Sequence, residues 1–326
     1  MRMIRAVMLA SSLVAAMTGE ALAQHQIAIA GAGPGSLAYN LAAGLAENTN
    51  SKTKAVRVTA ESSSGFVENA RLVGRGETEL GIISAVQAFE ALRSKGTYAG
   101  EPPYKDLRGV AITHASGASI KAREGINTIA DLAGKSVSFG PPGSLLGYAG
   151  ELILDAYDLN GKVKVLRMSV AETTRAFVDG TIDAFVAGPA PYPAVMEVGA
   201  QKKLNALAVD AEHIKKMQKS APVVAGMMRA GAYDWLKNDT MIVGFLGYLV
   251  AHKDVSADAI YELLKVNLSP KGVEYLKTNH KTWVIWNTPK YIREDNAFAL
   301  EGLKLHPGAA RYWKEQGVSL PAAIVE

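Results

Sequence analysis

Gly33-Pro34-Gly35-Ser36-Leu37 and Pro141-Pro142-Gly143-Ser144-Leu145 are the two stretches on which the fold of this chain turns. Each follows a short apolar, strand-like run, over 27–30 and 136–139, and each opens a segment with apolar residues at helical spacing. Next in each half stands a β-branched strand carrying a basic residue, Val56-Arg57-Val58 and Val163-Lys164-Val165. An acidic turn entering an apolar strand follows, over 76–84 and 180–188. The two copies keep one order and nearly one spacing: 108 positions separate Gly35 from Gly143, 107 separate Val56 from Val163, and 104 separate Glu79 from Asp183. Such a repeat predicts two similar α/β lobes. Each aims a glycine loop and a helix N-terminus out of the carboxyl end of its sheet, where unpaired N–H groups and the helix dipole favour a small anion. Crossover strands are expected over 107–113 and 119–123, and a return crossing over 241–251. Helices over 257–266, 270–278 and 300–317 would complete the first lobe. The expected organisation is a leader over 1–23, lobe I over 24–113 with 239–326, and lobe II over 114–238.

Of 326 residues, 48% are hydrophobic and 20% charged, enough for two cores and unlike a disordered chain. The first residues read as an export signal: Arg2 and Arg5 precede an apolar run over 6–17, and Ala21-Leu22-Ala23 supplies the small residues of a cleavage site. Ser11, Ser12, Thr18, Gly19 and Glu20 interrupt the ~20 apolar residues that a membrane span needs. Cleavage after Ala23 and a periplasmic location are therefore expected. Without the two arginines and one glutamate of that segment the net charge is +3 rather than +4, and no run of five or six like charges exists, which argues against a nucleic-acid partner. With 0 Cys the exported chain has no disulfide and no lipid-modified cysteine, so it must rest on core burial. A free monomer is expected.

Gly35, Ser36, Tyr39, Ser64 and Gly65, with Ser84 and Gln87, are the candidate ligand-binding residues of the first half. Pro142, Gly143, Ser144, Gly188 and Tyr192 are those of the second. All lie at or just beyond the carboxyl ends of expected strands. Ser36 and Ser144 can equally be plain N-caps, Tyr39 a surface packer and Gln87 a solvent-facing helix residue. Gly31-Ala32-Gly33-Pro34-Gly35-Ser36, with Glu61 ending the next strand, invites a dinucleotide reading, but serine stands where the third glycine of that motif permits close helix packing. The six histidines show no HExxH and no paired ligand spacing. Pro142-Gly143-Ser144-Leu145-Leu146 lacks the Gly-x-Ser-x-Gly elbow, and Asp179 and Asp183 read as solvated turn residues before an acid/base pair. No catalytic residue, metal or cofactor is expected. The competing readings are a secreted α/β enzyme that binds a nucleotide or hydrolyses a small substrate, and an interaction protein with an empty cleft.

Several longer stretches carry a family likeness. They are Ser64-Gly65-Phe66-Val67-Glu68-Asn69 with Gly76-Glu77-Thr78-Glu79-Leu80-Gly81, Asp131-Leu132-Ala133-Gly134-Lys135 through Gly140-Pro141-Pro142-Gly143-Ser144, and Gly180-Thr181-Ile182-Asp183-Ala184-Phe185. The last, Leu305-His306-Pro307-Gly308-Ala309-Ala310-Arg311-Tyr312-Trp313-Lys314-Glu315-Gln316-Gly317, is the most specific. In these the chain resembles the TAXI-type solute receptors of tripartite ATP-independent periplasmic (TRAP) transporters, over nearly its whole mature length. The resemblance implies an α/β, two-lobed periplasmic binding protein of type II-like build, each lobe a mixed sheet flanked by helices, with the cleft at the hinge. It implies capture of a small anionic solute, a carboxylate or an amino acid such as glutamate, and delivery to the membrane permease subunits of an ion-driven transporter. The first loop departs from the family's Gly-Gly-Thr-Tyr-Tyr-like segment: Gly35-Ser36-Leu37-Ala38-Tyr39-Asn40 keeps a hydroxyl and a phenol, but Leu37 has no side-chain donor. His306-Pro307-Gly308 reads as a helix start rather than a binding element.

Overall fold

The computed structural model describes residues 24–141, 144–188 and 190–326; the expected leader over 1–23, Pro142 and Gly143 lie outside the described residues. Three β-loop-α units open the chain: β1 (His25–Ala30) with α1 (Leu37–Lys52), β2 (Val56–Glu61) with α2 (Phe66–Gly74), and β3 (Leu80–Ser84) with α3 (Ala85–Ala91). The long β4 (Leu107–Arg123) leads to β5 (Ser136–Ser138), α4 (Leu145–Ala156), β6 (Lys164–Leu166), α5 (Val170–Val178), β7 (Ala184–Ala187) and α6 (Pro193–Gly199). After β8 (Leu204–Leu207), α7 (Ala211–Gln218) and β9 (Val224–Met228), the second long strand, β10 (Thr240–His252), returns. It is followed by α8 (Ala257–Asn267), α9 (Pro270–Asn279), α10 (Thr288–Asp295) and α11 (Pro307–Glu315).

The internal repeat is visible in the topology. β1 pairs in parallel with β2 and β3, and β5 pairs in parallel with β6 and β7, so the sheet reads β2-β1-β3-β10 in one lobe and β6-β5-β7-β4 in the other. The matched acids have matched work. Glu79 Oε2 accepts from the Ala28 amide at 2.8 Å, and Asp183 Oδ2 accepts from the Ser136 amide and hydroxyl, both at 2.8 Å. Each carboxylate ties the entry of a third strand to the first strand beside it. Asp183 is therefore a strand clamp and not a solvated turn residue: burial works against its charge, but the Ser136 bonds, with Lys135 and Arg123 nearby, hold its carboxyl below the usual range.

Two expectations are corrected. The crossover is one 17-residue strand, because β10 pairs with β4 from Leu107 to Ala118, with shifts of register at Val110 and Thr113 but none over 114–118. The helix expected over 300–317 forms only as Pro307–Glu315. Proline fits the first turn but not a helix interior, His306 caps the end, and the stretch before it is extended, with Gly109 donating to Lys304 O at 2.8 Å.

Lobe I has one core. α1 buries Ala38, Leu41, Ala42 and Leu45, at the spacing of one helical face, in a cluster shared with Leu263 and Leu264 of α8; each leucine so buried stabilises by about 1.5–3 kcal/mol. Lobe II has two clusters, one containing Phe139, Ala149 and Ile153 and the other Phe177, Phe185 and Val198. Among the described residues no helix is long and apolar enough to cross a membrane.

Candidate functional site

The pairing register of β4 and β10 decides where a site can lie. β10 runs from lobe II into lobe I, and β3 is antiparallel to it with Ser84 opposite Gly247, so β3 ends pointing at lobe II. β4 runs the other way, and β7 is antiparallel to it with Ala187 opposite Ser119, so β7 ends pointing at lobe I. β1 and β2 share the direction of β3, and β5 and β6 that of β7. The carboxyl ends of both parallel sets therefore face each other. Between them lies the stretch of β4 from His114, opposite Gly247, to Ser119, roughly 17 Å at the rise of an antiparallel strand.

On the lobe I side, Ser36 is the N-cap of α1, its Oγ accepting from the Tyr39 amide at 3.2 Å, and Gly35 before it has a φ of +83° that favours glycine. Tyr39 is half-buried in the first turn. Gly65, at a φ of +127°, is the N-cap of α2, and Ser64 beside it donates its amide to Glu68, whose carboxyl these Ser64 contacts hold below the usual range. Ser84 is buried and donates its hydroxyl to the side-chain oxygen of Gln87.

Sequence reasoning missed the residue that binds these loops into one piece. Asn69 on α2 is fully buried; its amide donates to Ile82 O at 2.7 Å and to Gly31 O, and its Oδ1 accepts from the Ser63 hydroxyl at 2.5 Å. One side chain thus ties the loop after β1, the loop after β2 and the end of β3. A signal was present, an asparagine in the first turn of a helix, but its partners are distant in sequence.

On the lobe II side, Ser144 is the N-cap of α4, its Oγ accepting from the Gly147 amide at 3.1 Å. Arg167, just past β6, packs on that first turn at Gly147, lies over the Phe139 ring at 5.6 Å and pairs with Glu151. Gly188 is buried beneath the Tyr192 ring, where a Cβ would stand 3.0 Å from a ring carbon. The Tyr192 amide donates to the Tyr233 hydroxyl at 2.9 Å. Ser144, Gly188 and Tyr192 thus sit at the lobe I-facing end of lobe II, as the seven residues of the first set sit at the lobe II-facing end of lobe I.

The lobes touch at the middle of the shared strands. Val86 of α3 packs in the lobe II cluster with Ala118, Val243 and Phe245, and Tyr148 of α4 tilts against Phe245 at 6.3 Å. Burial, with the Glu90 charge nearby, pushes the Tyr148 phenol up to about 12. His114 lies over Gly247, where any Cβ would strike its ring, and stacks at 6.1 Å on Phe66. Burial, helped by His280, pulls its imidazole down to about 4, so it is neutral at ordinary pH. Elsewhere at the junction a groove of about 620 Å³ runs along Ala115, Ser116 and Gly117, walled by β9, Ala190 and the α10 residues Lys290, Tyr291, Glu294 and Asp295. That size suits a small metabolite. None of the ten expected residues that are described lines this groove; Ala190, between Gly188 and Tyr192, comes nearest in sequence.

The model of the NMT1-like family matches residues 29–317. The chain belongs to the NMT1-like family. Among solved structures it is similar to a TctC solute binding protein from Polaromonas, at 15% identity over 85% of this chain and 97% of that one, with a TM-score of 0.55. It is also similar to a putative periplasmic sulfonate-binding protein SsuA from Methylobacillus flagellatus, at 13% identity over 91% and 96% with a TM-score of 0.48. The periplasmic aliphatic sulphonate binding protein SsuA from Escherichia coli gives 14%, 92% and 96%, and 0.46. At these identities the likeness is one of fold, and the fold is that of the two-lobed solute-binding proteins. The NMT1-like family and these neighbours are substrate-binding proteins, not enzymes.

Proposed function

We propose that this chain is a periplasmic receptor that closes its two lobes on one small anionic solute, a carboxylate or an amino acid, and hands it to the membrane permease subunits of a TRAP transporter of the TAXI type. The observation that carries the reading is the convergence of strand ends: Ser84 and Ala187 terminate oppositely directed strands that face each other across the same short stretch of β4. Capped helix N-termini at Ser36 and Ser144 leave amides of each first turn for an acidic group, and a ligand between them would be held by both lobes at once. Gly35, Ser36, Tyr39, Ser64, Gly65, Ser84 and Gln87 would contact it from lobe I. Gly143, Ser144, Gly188 and Tyr192, with Pro142 shaping the loop, would do so from lobe II. Rotation about the middle of β4 and β10 would close the cleft, with the divisions of the chain near residues 113 and 239. The leader would be removed after Ala23, leaving a soluble monomer.

The test is a thermal-shift panel of small carboxylates, alkanesulfonates, amino acids and nucleotides. A ligand at 100 times its Kd stabilises by about 2.7 kcal/mol, a shift of several degrees. A shift with acids and none with nucleotides supports the receptor. A shift with NAD alone would favour the enzyme reading, and no shift at all an interaction protein.

A further inference from the structure

Lys121 occupies the middle of the lobe II sheet, opposite Phe185 of β7 on one side and Ala206 of β8 on the other, and is fully buried. Its Nζ donates to Ser119 Oγ at 2.5 Å and lies 3.7 Å from Met228 Sδ and 5.9 Å from the centre of the Tyr233 ring. Among the described residues no carboxylate pairs with it, and burial alone pulls its amine down to about 7. Lysine is rarely buried without a partner, since an ammonium loses its hydration there and gains nothing back. A methionine or leucine would fill the same place without that cost.

The direction of the amine gives it a purpose. Ser119 is the β4 residue opposite Ala187, the last residue of β7, so the bond to its hydroxyl aims Nζ from the sheet interior toward the end that faces lobe I. There Tyr192 covers Gly188, and Tyr233, the titratable group facing the amine, anchors the Tyr192 amide. Met228 also walls the groove along residues 115–117. One flexible thioether therefore separates an amine with no carboxylate partner among the described residues from the groove at the junction of the lobes.

We propose that Lys121 is the cationic partner of the captured solute, reached when the Met228 side chain rotates aside, and that it restricts the site to ligands carrying an acidic group. This rests on the reading of the chain as an anion receptor. The acid would supply the counter-charge that the fold withholds, and the hydrogen bond that Lys121 donates to Ser119 would become charge-assisted. A neutral analogue of the same shape would leave the amine buried and unpaired.

The experiment uses acetate, succinate, L-glutamate and ethanesulfonate as probes, calorimetry for affinity, urea unfolding for stability, and the ¹³Cε resonance of Lys121 followed through pH with and without the tightest of the four. In Lys121→Met, affinity for that acid should fall roughly 10- to 100-fold, the loss of one charge-assisted bond, while the unliganded protein unfolds at the same or a higher urea concentration. In the wild type, saturation with the acid should raise the Lys121 titration midpoint by about one unit or more, one unit being tenfold in affinity. Undiminished affinity in the variant, or a midpoint that the bound acid does not move, would make Lys121 a structural residue and overturn the proposal while leaving the receptor intact. Should the variant not fold, the wild-type titration decides alone. If none of the four acids binds the wild type, the anion receptor fails and this proposal with it.

Discussion

Asn69 in lobe I and Thr173 in lobe II occupy the same place in the repeat, 104 positions apart, and do unequal amounts of work. Asn69 bridges Gly31 O, Ile82 O and the Ser63 hydroxyl, so three segments that end at the cleft move as one body. Thr173, also buried, has one side-chain hydrogen-bond partner among the described residues, Ser138, oxygen to oxygen at 2.7 Å. The Asn69 amide, with four hydrogen-bonding positions, holds two backbone carbonyls and a hydroxyl, where the Thr173 hydroxyl holds one hydroxyl. The repeat thus kept its scaffold and changed the residue at this place: among the described residues the Asn69 side chain ties three segments, and the Thr173 side chain ties its helix to one.

The largest effect expected from this contrast is at Asn69. Asn69→Ala takes the side-chain donor from Ile82 O, leaves Gly31 O with the half-buried Ser63 hydroxyl alone, and should cost about 3–5 kcal/mol in urea unfolding. Thr173→Val should cost only about 1 kcal/mol. Equal losses at the two sites would erase the proposed asymmetry.

Next in size is a difference in buried charge. Lobe I hides an acid where lobe II hides a base: Glu301 is 1% exposed, its Oε1 accepts from the Tyr248 hydroxyl at 2.7 Å, and its Oε2 has no partner among the described residues. Burial pushes its carboxyl up to about 7, against the opposing influence of Tyr248 and Arg93. Because this folded-state value lies above that of the unfolded chain, the folded state binds the proton more tightly. The stability so gained is complete below about pH 4 and is lost as pH rises through about 7. Wild type should lose roughly 3 kcal/mol between pH 4.5 and 8 from this group, and Glu301→Gln should flatten that part of the profile; an unchanged slope in the variant would remove Glu301 as its source.

Two smaller effects probe the junction and the caps. Gly247→Ala places a methyl in the His114 ring and should cost about 1–3 kcal/mol, recovered in part by adding His114→Ala. No recovery in the double variant would mean that the ring is not what the methyl meets. Ser36→Ala and Ser144→Ala each remove an N-cap and should cost about 1 kcal/mol, equally in the two lobes.

Much of this architecture is legible in the residues themselves, and for physical reasons. Strand and helix periods, the glycine loops and the acidic turns are local signals, so the strands over 56–61 and 80–84 and the capped helices at Ser36 and Ser144 can be read directly. The likeness of Glu79 to Asp183 was visible as spacing, while its meaning, a carboxylate on the neighbouring strand, depends on pairing that no local pattern encodes. The single strand β4 was hidden because Ser116-Gly117 looks like a break until β10 lies beside it. Asn69, Lys121 and the α10 wall of the groove escaped for the same reason: each acquires its role from residues far along the chain.

The convergence of the two lobes on one ligand is tested most directly by titrating a single acid, the one that raises the wild-type melting temperature most, into Ser36→Ala and Ser144→Ala by calorimetry. Weakening of about fivefold in each variant, from opposite halves of the molecule, is the result expected for a loss of about 1 kcal/mol per lobe. Full affinity retained in either variant would mean that its lobe does not hold the ligand through this cap, and the shared site would be contradicted.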